Sequence, residues 1–270
     1  MNVLITGAAG GLGRAMVVEC ARRGYRLFLT DVNADGLCCL QTGLERQFAA
    51  TAAIKACDLT NPESVDALLA VLDASGIQFD MLLNIAGVDF EGGFMERDRE
   101  RVVKIVALND AGTLRITHAI LERRDLKREF TAIFVSSLAS LFPMPLKATY
   151  AASKRFLLDF ALSLREELKG DGVNVLALCP AGMATTAENI QAIRAQGIWG
   201  EATTNPLERV ARRTLDCALD GRAIYIPGTL NRLLSSLGKV VPRVWVAAII
   251  HWRWKCAQRK WLNASGCAKA

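Results

Sequence analysis

Histidine is almost missing from this chain: its 270 residues hold two, His118 and His251, far apart and neither beside a cysteine pair. The eight cysteines, at 20, 38, 39, 57, 179, 217, 256 and 267, form no C-x-x-C pair. Zinc sites need clustered Cys and His ligands, so this distribution argues against a structural zinc and against metal catalysis, and the thiols read as reduced and mostly buried. Acidic residues are missing from the last 40 positions, where residues 231–270 carry eight Lys/Arg and no Asp/Glu. The net charge of +6 therefore belongs to the tail, because 25 basic residues face 27 acidic ones before it. A general nucleic-acid-binding surface does not follow from charge of that kind. Long apolar runs are also missing: the one in the tail extends only over residues 244–250, against the roughly 20 residues of a spanning helix. The first residues, Met1-Asn2-Val3-Leu4-Ile5-Thr6-Gly7, lack the charged, apolar and cleavage regions of a secretory leader and read directly as a strand, which predicts a cytoplasmic location.

What is present is a globular composition, 51% hydrophobic and 22% charged, in a chain long enough for one large core. Short apolar runs alternate with longer amphipathic segments. Strands are predicted near 2–6, 26–31, 51–57, 79–84, 130–136, 173–179 and 223–227. Helices are predicted near 11–24, 34–48, 62–75, 98–124, 149–169 and 206–220. Gly24 is a natural end for the first helix, and Asn61-Pro62 an N-cap and first-turn pair for the third. Alternation of this kind, joined by right-handed crossovers, gives an α/β fold: a Rossmann-like doubly wound parallel sheet of about seven strands. The expected layout is one dinucleotide-binding and catalytic domain over 1–228 and a basic, Trp-rich helical extension over 229–270.

The turn after the first strand, Thr6-Gly7-Ala8-Ala9-Gly10-Gly11-Leu12-Gly13, runs straight into a helical pattern. Glycines there let the backbone turn tightly and approach a pyrophosphate at a helix N-terminus, although glycines can also sit in such turns for packing or capping. The motif reads equally as Gly7, Gly11, Gly13 or as Gly7, Gly10, Gly13. Asp31 closes the second strand 18 residues after Gly13. A carboxylate there accepts both hydroxyls of an adenosine ribose and repels a 2′-phosphate, so NAD is expected over NADP. Gly10 and Val32, beside the expected ribose, supply no cation for a phosphate; the plainer role for Asp31 is a strand-end cap. Asp58 and Leu59 follow the third strand, and Asn84, Ala86 and Gly87 the fourth, at the edge where such sheets bind ligands. Asp58 can accept from an adenine amino group and Ala86-Gly87 leaves room for a sugar; as turn residues they would need no function.

Tyr150 and Lys154 open a later helix one turn apart and on one face. A phenol of ordinary pKa is a poor base at neutral pH, and a neighbouring ammonium favours its ionised form, so Lys154 is the expected tuning charge. Ser136-Ser137 ends the fifth strand and delivers a hydroxyl that can hold a substrate oxygen or cap the turn. Asn109 is a polar residue among Ile105, Val106 and Leu108, costly there unless its amide is used, for instance to order a water.

Taken together, Thr6-Gly7-x-x-x-Gly11-x-Gly13, Asn84-x-Ala86-Gly87, Asn109, Ser137, Tyr150-x-x-x-Lys154 and the stretch from Pro180 to Thr185 resemble the short-chain dehydrogenase/reductases, in the shorter branch without a separate substrate domain. The resemblance covers roughly residues 1–228. It implies that Tyr150 exchanges a proton with the substrate oxygen and Ser137 positions that oxygen. Lys154 would bind the nicotinamide ribose and Asn109 anchor a relay water. Gly7, Gly10, Gly11, Leu12, Gly13, Pro180, Met183 and Thr185 would contact NAD. Ile85 replaces a usual asparagine and Ala181 a usual glycine, departures that bear on cofactor affinity. Competing readings are a catalytically silent dinucleotide sensor or scaffold and a sugar-nucleotide epimerase or dehydratase; the intact tetrad opposes the first, and the lack of a sizeable C-terminal substrate domain the second.

Residues 183–206, with Met183, Ile190, Ile193, Ile198 and Trp199, read either as an apolar lid for a hydrophobic alcohol or ketone, such as a steroid or lipid-like molecule, or as packing on the sheet. The tail carries four of the five tryptophans, at 245, 252, 254 and 261. Val241, Val244, Trp245, Ala248, Ile249 and Trp252 follow helical spacing beside basic neighbours. Such a stripe packs on the body, packs on a partner subunit of a homo-oligomer, or lies on an anionic membrane surface through residues 240–262.

Overall fold

A computed structural model of the chain describes residues 1–89, 92–185, 190, 203–237 and 241–264, with the side chains of 237 and 254–264 excepted. Strands β1 (Asn2–Thr6), β2 (Arg26–Asp31), β3 (Ala52–Ala56), β4 (Met81–Asn84), β5 (Phe130–Val135), β6 (Val173–Leu178) and β7 (Ile224–Tyr225) form one parallel sheet. Its order is β3-β2-β1-β4-β5-β6-β7, so the winding reverses between β1 and β4. That reversal opens a crevice at the carboxyl ends of the central strands.

The β1 run Val3-Leu4-Ile5 shows why every central strand is apolar on both sides. Val3 and Ile5 enter the core beneath α1 (Gly11–Arg22), α2 (Ala34–Phe48) and α7 (Leu207–Leu219), with Met16, Leu37 and Leu215. Leu4 points the other way, toward Leu68, Ile116 and Leu158 of α3 (Pro62–Ser75), α5 (Thr113–Leu121) and α6 (Ala148–Leu168). Side chains alternate across a strand, so a sheet covered on both faces needs apolar residues at every position. Local signals set the ends as read from sequence: Asn61 caps α3 by accepting from Ser64 N at 3.3 Å, with Pro62 in the first turn, and Gly24 follows α1 at φ +72°.

Two expectations are corrected. The strand expected at 223–227 is only Ile224–Tyr225, at the sheet edge, where Pro227 has no amide to extend the ladder. The single helix expected over 98–124 is three pieces: α4 (Arg99–Val106), a π-helical turn over Ala107–Gly112, and α5. The wide turn contains Asn109, which is fully buried, and it lets a neighbouring loop in close: a Cβ on Gly112 would lie 2.9 Å from the Leu59 carbonyl. Widened turns of this kind commonly mark functional positions in helices. After β7 the chain continues into α8 (Thr229–Leu237) and α9 (Arg243–Ala264). No helix among the described residues is long and apolar enough to cross a membrane.

Candidate active site

The crevice is a cleft of about 840 Å³ lined by the carboxyl ends of β1, β2, β4, β5 and β6 and the loops after them. Of the residues singled out from sequence, Gly7, Gly10, Gly11, Leu12, Gly13, Asp31, Asp58, Leu59, Ala86, Gly87, Ser137, Tyr150, Lys154, Pro180, Met183 and Thr185 all line it. Asn84 and Asn109 do not; both are buried behind it.

At one part of the cleft the glycine turn is fixed by close contacts that decide between its two readings. Gly7 takes φ +65° and lies so near the β4 loop that a Cβ would meet Ala86 N at 2.7 Å. A Cβ on Gly13 would collide with the Gly7 carbonyl, and one on Gly11 would lie 2.7 Å from Thr185 Cβ. At Gly10 the nearest atom would be 3.3 Å away. The positions that must be glycine are therefore Gly7, Gly11 and Gly13, and the backbone there is left bare beside the N-terminus of α1. Asp31 reaches back to this turn, accepting from Ala9 N and Asn33 N at 2.9 Å each. The carboxylate thus does cap local backbone, and it still lines the cleft. Arg14 donates its Nε to the Ala9 carbonyl at 2.8 Å and does not line the cleft. Asp58 accepts through Oδ1 from Thr60 N and Thr60 Oγ1, bonds that hold its carboxyl below the ordinary value.

Elsewhere in the cleft, α6 is pinned to the end of β5. Lys154 is buried and donates Nζ to the Val135 carbonyl at 2.8 Å, while Ser136 Oγ donates to the Lys154 carbonyl at 2.6 Å. This docking brings Tyr150 to the same stretch of the cleft as Ser137, close enough for Ser137 to lower the pKa of the phenol. Ser137 Oγ accepts from Ala139 N at 3.1 Å, which orients it. Burial lowers the Lys154 ammonium to about 8, opposed by Asp110, Asp89 and Cys179. The Tyr150 phenol stands above its ordinary value, first through burial and then through Asp89, with Ser137 and Lys147 pulling it down. Lys147, which the sequence did not single out, thus acts on the phenol from the cleft as well, and the Lys154 ammonium lies 5.8 Å from the centre of the Tyr150 ring. Burial outweighs the pull of Lys147.

Asn109 spends both amide donors and one acceptor site on the protein. Oδ1 accepts from Val88 N at 2.9 Å, and Nδ2 donates to the Val88 carbonyl and to Ser153 Oγ, both at 3.1 Å. Ser153 Oγ in turn donates to the Tyr150 carbonyl at 2.9 Å. Asn109 therefore ties the loop after β4 to the helix that carries Tyr150, whereas Asn84 donates to Thr117 Oγ1 and braces β4 against α5. Sequence reading passed over Asp89, Lys147, Asp110 and Ser153. Lys147 stands three residues before Tyr150, a spacing that could have flagged it; the others are brought in by folding. Met183 lines the cleft and also packs on the sheet core, and Ile190 is exposed. Ile193, Ile198 and Trp199 lie outside the described residues. No group of three or more His, Cys, Asp or Glu among the described residues could hold a metal.

Known proteins resemble this chain in sequence and fold. A short chain dehydrogenase model matches residues 1–195. A sulfoacetaldehyde reductase from Chromohalobacter salexigens is 34% identical over 186 residues, covering 68% of this chain and 72% of that one. The human 17-beta-hydroxysteroid dehydrogenase type 3 is 27% identical over 184 residues, 67% of this chain and 59% of that longer protein. A solved 7beta-hydroxysteroid dehydrogenase superposes with a TM-score of 0.82 at 18% identity, over 93% of this chain and 96% of that one, a likeness of fold. With the family model running along the sheet from the glycine turn through Tyr150 and Lys154 to Thr185, this chain belongs to the short-chain dehydrogenase/reductase family of oxidoreductases.

Proposed function

We propose that the chain interconverts a secondary alcohol and a ketone with NAD as its partner, taking a hydrophobic substrate such as a steroid or lipid-like molecule. One observation carries this reading: Tyr150, beside Ser137 and held on the helix of Lys154, opens into the same cleft as the bare glycine turn and Asp31. The residues fit a dinucleotide. Gly7, Gly11 and Gly13 leave a cradle that side chains would fill, at a helix N-terminus suited to a pyrophosphate. Asp31, fixed by two backbone N–H groups, presents a carboxylate for ribose hydroxyls. Val32, 73% exposed, and Asn33 flank it in the cleft without a cation for a 2′-phosphate. Leu59, Ala86 and Gly87 would pass the adenosine and its sugar, Lys154 the second ribose, and Pro180, Met183 and Thr185 the nicotinamide amide.

Bound NAD supplies the hydride acceptor and NADH the donor. The chain's own work is at the oxygen. In reduction, the Tyr150 phenol gives its proton to the carbonyl oxygen as that oxygen gains charge, and Ser137 donates a hydrogen bond to the same oxygen. In oxidation the phenolate takes the hydroxyl proton back. An ordinary phenol is already protonated at neutral pH, the form that ketone reduction needs, and burial favours that form further. Asn109, with its amide committed to Val88 and Ser153, holds the Tyr150 helix against the β4 loop; a relay water on it would use its remaining hydrogen-bonding capacity. Leu138, Ala139, Phe142 and Met144 line the cleft and supply an apolar wall for the substrate.

A panel of secondary alcohols and ketones, read as NADH and NADPH absorbance, tests this. Tyr150→Phe is expected to lower turnover roughly a hundred- to ten-thousand-fold while dinucleotide binding persists. Asp31→Ala should erode the preference for NAD. Wild-type turnover in Tyr150→Phe would overturn the role given to Tyr150, and absence of turnover across the panel with either dinucleotide would leave a dinucleotide-binding sensor or scaffold as the better reading.

A further inference from the structure

The apolar stripe of the tail points away from the body. In α9, Val244, Trp245, Ala248, Ile249 and Trp252 are exposed, with Val244 at 78% and the two tryptophans at 67% and 68%, and Val241 just before the helix is exposed too. The other side of the same helix, Val246, Ala247, Ile250 and His251, is half-buried. Packing of the stripe on the chain's own body, one of the roles open from sequence, is therefore excluded for the described residues. An outward row of two tryptophans and three aliphatic residues is a contact surface. The charge around it selects the occupant. The segment 231–270 carries eight Lys/Arg and no Asp/Glu, so a second copy docked stripe to stripe would bring two cationic tails together with no carboxylate in either. A surface of anionic lipid headgroups supplies the missing countercharge and accepts Trp at the headgroup level.

We infer that α9 lies in the plane of an anionic membrane surface, with Val244, Trp245, Ile249 and Trp252 inserted among the lipids and the basic residues around them on the headgroups. Its apolar run, residues 244–250, is too short to cross, and Arg253 and Lys255 lie just beyond it, so insertion stops at the headgroup level. The preceding α8 packs against Leu138–Leu141, the stretch that gives Leu138 and Ala139 to the cleft wall. The helix thus leaves the fold beside the substrate side of the site. Lipid binding by α9 does not depend on the reaction assigned above, and its test reads binding alone.

The full chain is sedimented with vesicles of phosphatidylcholine alone or of phosphatidylcholine with one quarter phosphatidylglycerol, at low and high salt, with tryptophan emission recorded. Binding to the anionic vesicles, a blue shift and at least a tenfold weakening at high salt are expected. The double variant W245E/W252E should lose at least tenfold in vesicle binding while its melting temperature stays unchanged. Absence of binding to anionic vesicles, or equal binding by the double variant, would overturn the inference. So would a wild-type dimer that the double variant splits into monomers, since the stripe would then be a subunit interface.

Discussion

The ammonium of Lys147 stands 5.7 Å from the centre of the Tyr150 ring, as close as Lys154 at 5.8 Å. Lys147 is ion-paired there, with its Nζ 2.5 Å from Asp89 Oδ2. Lys154 instead spends its buried charge on the Val135 carbonyl. Burial raises the Tyr150 pKa most, Asp89 raises it further, and Lys147 opposes them.

This pair gives a pH prediction with a definite sign. Asp89 raises the Tyr150 pKa and Lys147 lowers it. Asp89→Asn should move the Tyr150 limb of the pH-rate profile to lower pH, by on the order of one unit, and Lys147→Met should move it up. Reduction uses the phenol and is lost as pH rises through that pKa; oxidation uses the phenolate and is gained. Profiles measured in both directions check this, and identical limbs in the two variants would contradict it.

Asp110 sits on the π-helical turn with Oδ1 buried and without a hydrogen-bond partner in the described residues. Burial raises its carboxyl to about 6 from an ordinary 3.8, opposed by Lys154. The folded state then binds more protons than the unfolded one between those values, so this group weakens the fold as pH rises from 3.8 to about 6 and costs its full amount above that. Asp110→Asn should stabilise the protein at pH 7, on the order of 1 kcal/mol for a group this solvent-screened, with the gain vanishing below about pH 4. Thermal melts from pH 4 to 8 measure it. Because Asp110 also raises the Lys154 pKa, the variant should lose the Lys154 ammonium at a lower pH.

Gly13→Ala should be severe and Gly10→Ala mild. The first drives a methyl into the Gly7 carbonyl, while the second meets nothing nearer than 3.3 Å. A destabilisation of about 2–4 kcal/mol and loss of NAD binding are expected for Gly13→Ala. Melting curves and dinucleotide titrations of the two variants provide the comparison.

Asn109→Ala removes three buried hydrogen bonds, two to Val88 and one to Ser153. Leaving those partners unsatisfied should cost roughly 2–4 kcal/mol. Asn109→Asp keeps the acceptor for Val88 N and loses the donors, so it should fall between. Denaturant unfolding of both, set beside their turnover, separates lost positioning of Tyr150 from lost stability.

Much of this was legible before folding, for local reasons. The all-apolar strand Val3-Leu4-Ile5, the Asn61-Pro62 helix start and the Tyr150/Lys154 spacing are properties of neighbouring residues, and periodicity or capping chemistry shows them directly. The crowding that separates Gly11 from Gly10 was not legible, because it depends on Thr185, far along the chain. Nor was the break in the helix at Asn109, where tertiary bonds to Val88 and Ser153 override a helical pattern that continues on both sides.

By itself, the sequence determined the order of strands and helices, the parallel sheet they make and the residues available at its carboxyl edge, because alternation and helical spacing are written into adjacent positions. Only the tertiary structure decided which charges reach the phenol, which asparagine becomes a brace, and which way the tryptophan stripe of α9 faces. Those outcomes turn on distances between segments that no spacing along the chain encodes, and on burial, which strengthens or offsets each charge according to what surrounds it.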